Sequence, residues 1–131
     1  MKIAIDTSAI LGILLDEDSN KSIVKMTIGF DIVSAATLPY EVGNALVSNL
    51  RKKRITEPQA LLASKNFEKM NIRLIGIDMQ DSILMASKLG IYAYDSYMLS
   101  VALKLKIPLI TLDKLMIESA RVSGIKVVEV I

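Results

Sequence analysis

Ile3-Ala4-Ile5-Asp6-Thr7-Ser8 is a short apolar run that stops on an acid and is followed by two hydroxyls. Ile3, Ala4 and Ile5 read as a buried strand with Asp6 at its carboxyl end. Thr7 or Ser8 can cap the helix that Leu11, Leu14 and Leu15 predict. In an open α/β sheet, ligands bind just beyond the carboxyl ends of the strands. Asp6 therefore has two readings, a solvated cap or the first ligand of a site. Which one holds depends on whether other acids reach the same rim.

Composition narrows the chemistry. The 131 residues are the length of one domain, so 1–131 is expected to be a single unit. A chain of this size buries roughly two-thirds of its unfolded surface and needs no staples. It has no cysteine, which excludes disulfides and thiolate metal sites. It has no histidine either, which excludes imidazole acid–base pairs, Ser-His or Cys-His nucleophiles and His/Cys zinc sites. Catalysis is left to carboxylates, amines, hydroxyls, backbone amides or a metal held by oxygen. The net charge of +2 only weakly favours an anionic partner. A hydrophobic fraction of 52% with 5% aromatic residues implies an aliphatic core, with enough left to form an oligomer or partner surface. No stretch reaches the ~18 apolar residues of a membrane span. Asp6 interrupts what would be the apolar core of a signal peptide, so a cytoplasmic protein without membrane contact is expected.

Along the chain, Asp16-Glu17-Asp18-Ser19-Asn20 is a polar break, and a helix through Ile23, Val24 and Met26 follows it to about Gly29. Phe30–Ser34 predicts a second strand, with Asp31 at the wrong end of it for a site. Thr37-Leu38-Pro39 opens a long helix that runs out through Arg51-Lys52-Lys53-Arg54, a basic end that suits the carbonyl pole. Thr56 and Gln59 have capping-box spacing before the next helix, which ends near Met70. A third strand covers 72–77, and Asp78 caps a helix stopped by Gly90. Tyr92-Ala93-Tyr94-Asp95 leads into another helix, and Pro108–Leu112 is a fourth strand ending at Asp113. A last helix from Lys114 to about Ser123 precedes a short edge strand, 126–130, with Lys126 and Glu129 outward. The order β-α-α-β-α-α-β-α-α-β-α-β predicts a mainly parallel sheet of four to five strands inside a three-layer α/β/α sandwich.

Four of the 14 acids then stand apart: Asp6 ends the first strand, Glu41 lies in a first helical turn, Asp95 opens a helix and Asp113 ends the fourth strand. Each alone has an ordinary reading, as a cap or as a complement to the helix dipole. Together they point to one rim. Two unit charges 4 Å apart repel by about 4 kcal/mol at an effective dielectric of 20, so four free carboxylates do not share a small volume. A divalent cation resolves the repulsion, and an all-oxygen donor set suits Mg²⁺ or Mn²⁺. Such an ion lowers the pKa of bound water and holds phosphate oxygens for in-line displacement. Asp6 is then expected within metal-bridging distance of the other three.

At this point the residues resemble the PIN-domain ribonucleases, in particular the VapC-type toxins of toxin–antitoxin pairs. The resemblance is carried by Ile5-Asp6-Thr7-Ser8, Tyr40-Glu41-Val42-Gly43-Asn44-Ala45-Leu46, Tyr94-Asp95-Ser96-Tyr97-Met98-Leu99-Ser100-Val101-Ala102 and Leu109-Ile110-Thr111-Leu112-Asp113. It implies a Mg²⁺- or Mn²⁺-dependent endoribonuclease with Asp6, Glu41, Asp95 and Asp113 as the acidic cluster and Ser8, Asn44 and Thr111 in support. It also implies a homodimer and a small cognate antitoxin that covers the rim. Ser96 departs from the pattern, in a slot where Ala is common. On the bottom-up reading, Asn44 is three residues after Glu41 and can orient its carboxylate, touch a phosphate or simply face solvent. Ser8 and Thr111 either bond carboxylates or cap and fill. The Arg51–Arg54 run can track an RNA backbone or end a solvated helix. Tyr94 and Tyr97 can stack bases or pack with a wet hydroxyl.

Two other function classes fit the same length. One is a PIN-like RNA- or protein-binding regulatory module with little catalysis. The other is a receiver-like signalling domain, which needs a second acid beside Asp6 and a phospho-acceptor after the third strand. Asp6 has no acidic neighbour, and Asp78 after that strand sits in a capping context.

Overall fold

The computed structural model describes residues 1–15 and 20–130, so the polar break read at 16–19 lies outside the described residues. Five strands form one parallel sheet in the order β3-β2-β1-β4-β5. In chain order the elements are β1 (Lys2–Ile5), α1 (Thr7–Leu14), α2 (Asn20–Thr27), β2 (Asp31–Ala35), α3 (Leu38–Arg51) and α4 (Glu57–Glu68). They continue with β3 (Ile72–Ile75), α5 (Met79–Leu89), α6 (Ala93–Leu105), β4 (Leu109–Ile110), α7 (Lys114–Val122) and β5 (Val127–Val128). The alternation is the one the sequence predicts, and β5 lies at an edge, flanked by the exposed Lys126 and Glu129.

β1 is the central strand because its apolar residues are needed on both faces. Ile3 and Ile5 face one aliphatic core with Ala9 and Ile10 of α1, Ile23 of α2, Leu38, Val42 and Leu46 of α3 and Ala63 of α4. Ala4 faces the other, with Met98, Leu99 and Ala102 of α6 and Met116 and Ala120 of α7. The period-2 alternation of a strand thus assigns α1–α4 to one layer and α5–α7 to the other. The result is the expected three-layer α/β/α sandwich. No described helix is long and apolar enough to cross a membrane.

Local chemistry fixes the helix ends. Thr56 and Gln59 close a capping box at α4. Asp78 caps α5 through the Asp81 amide, and Gly90 ends that helix in the left-handed region at φ 66°. Three boundaries differ from the sequence reading. The strands are shorter than predicted, with β4 reduced to Leu109–Ile110 and Phe30 left outside β2. Thr37 takes the N-cap position of α3 but makes no capping bond. α6 begins at Ala93 behind Tyr92, so Asp95 sits inside the first turn and does not cap the helix.

The strand order places a topological switch point between β1 and β4. The chain runs outward through β2 and β3 and then returns to pair β4 beside β1. In open α/β sheets the crevice beyond such strand ends is where ligands bind. A receiver-like domain has the order 2-1-3-4-5. The observed order therefore rejects that alternative.

Candidate active site

Asp6 leaves the end of β1 and is 4% exposed. Its Oδ1 accepts the Ala9 amide at 3.0 Å, which caps α1, and the Ser8 hydroxyl at 2.7 Å. Its Oδ2 accepts the Thr111 hydroxyl. Asp6 itself, and neither Thr7 nor Ser8, is the cap of α1. One oxygen caps the helix, and the carboxylate is buried at the switch point and not solvated.

Thr111 and Ser8 tie the β1 and β4 ends together. The Asp113 amide donates to Thr111 Oγ1 at 3.1 Å, and the Leu112 amide donates to Ser8 Oγ at 2.9 Å. The two hydroxyls are themselves 3.3 Å apart. Asp113 caps α7, accepting the Leu115 and Met116 amides on one oxygen, and its side chain is exposed.

Glu41 enters from the first turn of α3. It is held by two threonines: Thr37 donates to Oε2 at 2.8 Å and Thr7 to Oε1 at 3.3 Å. Both are named in the sequence reading only at helix starts, not as partners of Glu41. Thr37 stands four residues before Glu41, so the i,i+4 helical spacing was the available signal. Asn44 is exposed and makes no bond to Glu41 among the described residues, so of its three readings the one that orients the carboxylate is not the one seen. It instead lines an open cleft of about 470 Å³ with Thr7, Tyr40, Glu41 and Tyr94. Asp95 is half-buried in the first turn of α6. Ser96 is fully buried and returns its hydroxyl to the Ala93 carbonyl at 2.8 Å, so the slot behaves as a small residue with no polar demand.

The electrostatics join the four acids. Burial pushes the Asp6 carboxyl above the usual range, against the pull of Thr111, Ala9 and Ser8, and the Asp113 charge adds to the rise. Burial raises Glu41 too, against Thr37 and Thr7, with Asp95 and Asp6 pushing the same way. Asp95 is raised by burial and then by Asp113. The repulsions form a closed circuit: Asp6 to Asp113, Asp113 to Asp95, Asp95 to Glu41, Glu41 to Asp6. Among the described residues no Lys or Arg pairs with any of them, and the one ion pair is Arg121–Glu129, 3.0 Å long and solvent-exposed. The carboxylates stand across the rim from one another; among the described residues no three acids converge tightly enough to hold one ion as they are. The set therefore falls short of the expected bridging arrangement.

The donor set fits a hard divalent cation. All donors are oxygens, the charge is uncompensated, and threonine and serine hydroxyls orient two of the carboxylates. The basic run 51–54 lies at the far end of α3, about 15 Å along the helix axis from Glu41, and takes no part in the rim. Of the two tyrosines, Tyr97 packs against the core with its hydroxyl 3.7 Å from the Met79 sulfur, while Tyr94 is exposed.

Comparison with known proteins follows this geometry. A PIN domain family model matches residues 3–122. Among solved structures, PAE2754 from Pyrobaculum aerophilum is similar with a TM-score of 0.73 at 20% identity, over 97% of this chain and 83% of that one. VapBC2 from Rickettsia felis, bound to a DNA fragment from their promoter, gives 0.67 at 14% identity, over 98% of both chains. VapC20 from Mycobacterium tuberculosis, a sarcin–ricin loop cleaving toxin, gives 0.64 at 16% identity over 90% of this chain and 95% of that one. No curated protein sequence matches. Identities this low speak for the fold alone.

Proposed function

This chain belongs to the PIN domain family, and from that premise we propose that it is a divalent-metal-dependent endoribonuclease, the toxin of a toxin–antitoxin pair. The observation that carries the reading is the closed circuit of repulsion among Asp6, Glu41, Asp95 and Asp113, contributed by four separate elements with no basic partner among the described residues. Asp6, Glu41 and Asp95, each raised by burial and then by a neighbouring carboxylate, are a cost to the fold that a cation would offset. Mg²⁺ or Mn²⁺ is the ion of choice for such donors.

Asp6, Glu41, Asp95 and Asp113 would hold the ion. When bound, it would neutralise phosphate charge and lower the pKa of an attacking water. The chain's own residues have distinct tasks. Thr111 and Ser8 fix the rotamer of Asp6 and hold both strand ends in register. Thr37 and Thr7 hold Glu41 so that it faces the rim and not solvent. Asp95, which has no hydrogen-bond partner among the described residues, is the carboxylate freest to take a proton from water or to turn toward substrate. VapBC2 and VapC20 support the toxin reading by their shared fold. A homodimer and a small antitoxin that covers the acidic rim are part of the same proposal.

The test is cleavage of RNA by the wild-type chain in Mn²⁺, with and without chelator, beside Asp95→Asn. The expected result is chelator-sensitive cleavage that the substitution abolishes while the melting curve stays cooperative. Cleavage that survives chelator, or equal activity in the folded variant, would refute the mechanism or the site respectively.

A further inference from the structure

The chain is poor in aromatic residues, with four tyrosines, two phenylalanines and no tryptophan. Three of the four tyrosines are nonetheless exposed, Tyr40 at 78%, Tyr92 at 81% and Tyr94 at 56%. Two of them immediately precede a rim carboxylate, Tyr40 before Glu41 on α3 and Tyr94 before Asp95 on α6. Consecutive helical residues point about 100° apart, so each tyrosine flanks the rim when its neighbour faces it. Exposing such area without a use is unfavourable, and here it is also held in place. The Tyr97 ring, half-buried, meets Tyr94 edge-on with centroids 5.8 Å apart and planes at 89°.

Tyr40 and Tyr94 line the same cleft of about 470 Å³, together with Thr7, Glu41 and Asn44. No Lys or Arg lines it, and its one charged group is a carboxylate, so phosphate is repelled from its floor. What the lining suits is neutral, flat and edged with donors and acceptors. The rings offer faces for stacking, and the exposed Asn44 amide, with no partner among the described residues, offers a donor and an acceptor side by side.

We propose that the cleft between α3 and α6 is a nucleobase subsite, in which one unstacked base of single-stranded RNA lies against Tyr40 and Tyr94 and Asn44 reads its edge. The proposal rests on the nuclease reading of the rim and divides it in two: the carboxylates take the phosphate through their cation, and the tyrosine side takes the base. Base identity at one position beside the cut is then chosen by Asn44, and duplex RNA, whose bases are already stacked, is excluded.

The experiment measures binding of four 5′-labelled homopolymeric octaribonucleotides and of a matched base-free ribose-phosphate octamer. It uses the full chain with Mg²⁺, in an Asp95→Asn background that prevents cleavage. Tyr40→Ala and Tyr94→Ala should each weaken binding of base-bearing RNA by about 5- to 150-fold, the range of a lost base–aromatic stack. Tyr40→Phe should keep it, and the base-free octamer should bind all variants alike. Asn44→Ala should narrow the spread among the four homopolymers. Unchanged binding in both alanine variants, an equal loss on the base-free octamer, or no binding by the parent overturns the proposal. So does a loss confined to binding of a protein partner. The nuclease reading fails separately: tyrosine-dependent binding with no cleavage by the wild-type chain in Mn²⁺ removes the enzyme and leaves the base subsite standing.

Discussion

The β1–α1 and β4–α7 junctions are built on one local plan. Each is a short apolar strand, then an Asp that caps the following helix through its Oδ1. The strands are neighbours in the sheet, and both acids stand beyond their carboxyl ends. Yet Asp6 is 4% exposed and Asp113 is open to water. The difference comes from outside the plan. Asp6 sits at the centre of the sheet under α1 and receives two hydroxyls, whereas Asp113 precedes a helix near the sheet edge and keeps only backbone donors. Capping is thus set locally, while burial, and with it the raised pKa of Asp6, is set by the sheet.

Activity should separate the junctions most. Asp6→Asn is expected to lower cleavage by about 10²–10³-fold, the scale of one lost electrostatic contact to a transition state. It should at the same time raise the melting temperature in chelator, because a buried charge is removed and the amide still caps. Asp113→Asn should lose activity with no change in melting beyond a few tenths of a kcal/mol, since Asn caps as well as Asp. Equal melting shifts for the two variants would break the distinction between them.

Next in size is the bridge. Thr111→Val removes the hydroxyl that donates to Asp6 and accepts from the Asp113 amide. Mn²⁺ affinity by calorimetry should fall about 10- to 100-fold, as for other residues that orient ligands. Stability should fall by about 1–3 kcal/mol from the unsatisfied buried groups. A Thr111→Ser variant should recover most of both.

The pH dependence is smaller and has a definite sign. Asp6, Glu41 and Asp95 are all raised, so the folded chain holds more protons than the unfolded one between the unfolded and folded pKa values. The stability they contribute is greatest at low pH and declines as pH rises from about 4 through the folded values. In chelator the melting temperature should therefore drop across this range, and Mg²⁺ should restore more at pH 7 than at pH 5. A melting temperature in chelator that rises over the same range would contradict the uncompensated rim. Smallest of all, Arg121→Ala, which breaks the exposed pair with Glu129, should cost about 0–1 kcal/mol by denaturant titration.

How much of this was legible in the sequence depends on the range of the interaction. The element order, the Thr56–Gln59 box, the Asp78 cap and the Gly90 stop were readable because each is written within four residues. The strands are shorter than the pattern suggests: the Pro108 carbonyl still accepts the Ala4 amide at 2.9 Å, but proline has no amide to return, and only Leu109 and Ile110 pair with β1. Asp95 was read as opening its helix, but Tyr92 takes that place with no side-chain bond, a slot that carries no compositional mark. The threonines on Glu41 went unremarked because Thr7 belongs to α1 and only the packing of α1 on α3 brings it near. Asn44 has helical spacing to Glu41 and lines the same cleft, but spacing alone does not say whether the two side chains bond.

The hydrogen bond from Thr111 to Asp6 spans 105 residues, and that separation sets an order in time. During synthesis the first acid of the rim is made 105 residues before its bridging hydroxyl, and the fourth acid follows that hydroxyl by two residues. A nascent or prematurely ended chain therefore carries the first three acids without the strand that aligns them. The complete rim belongs only to a chain in which Thr111 and Asp113 have already been made and β4 has paired with β1.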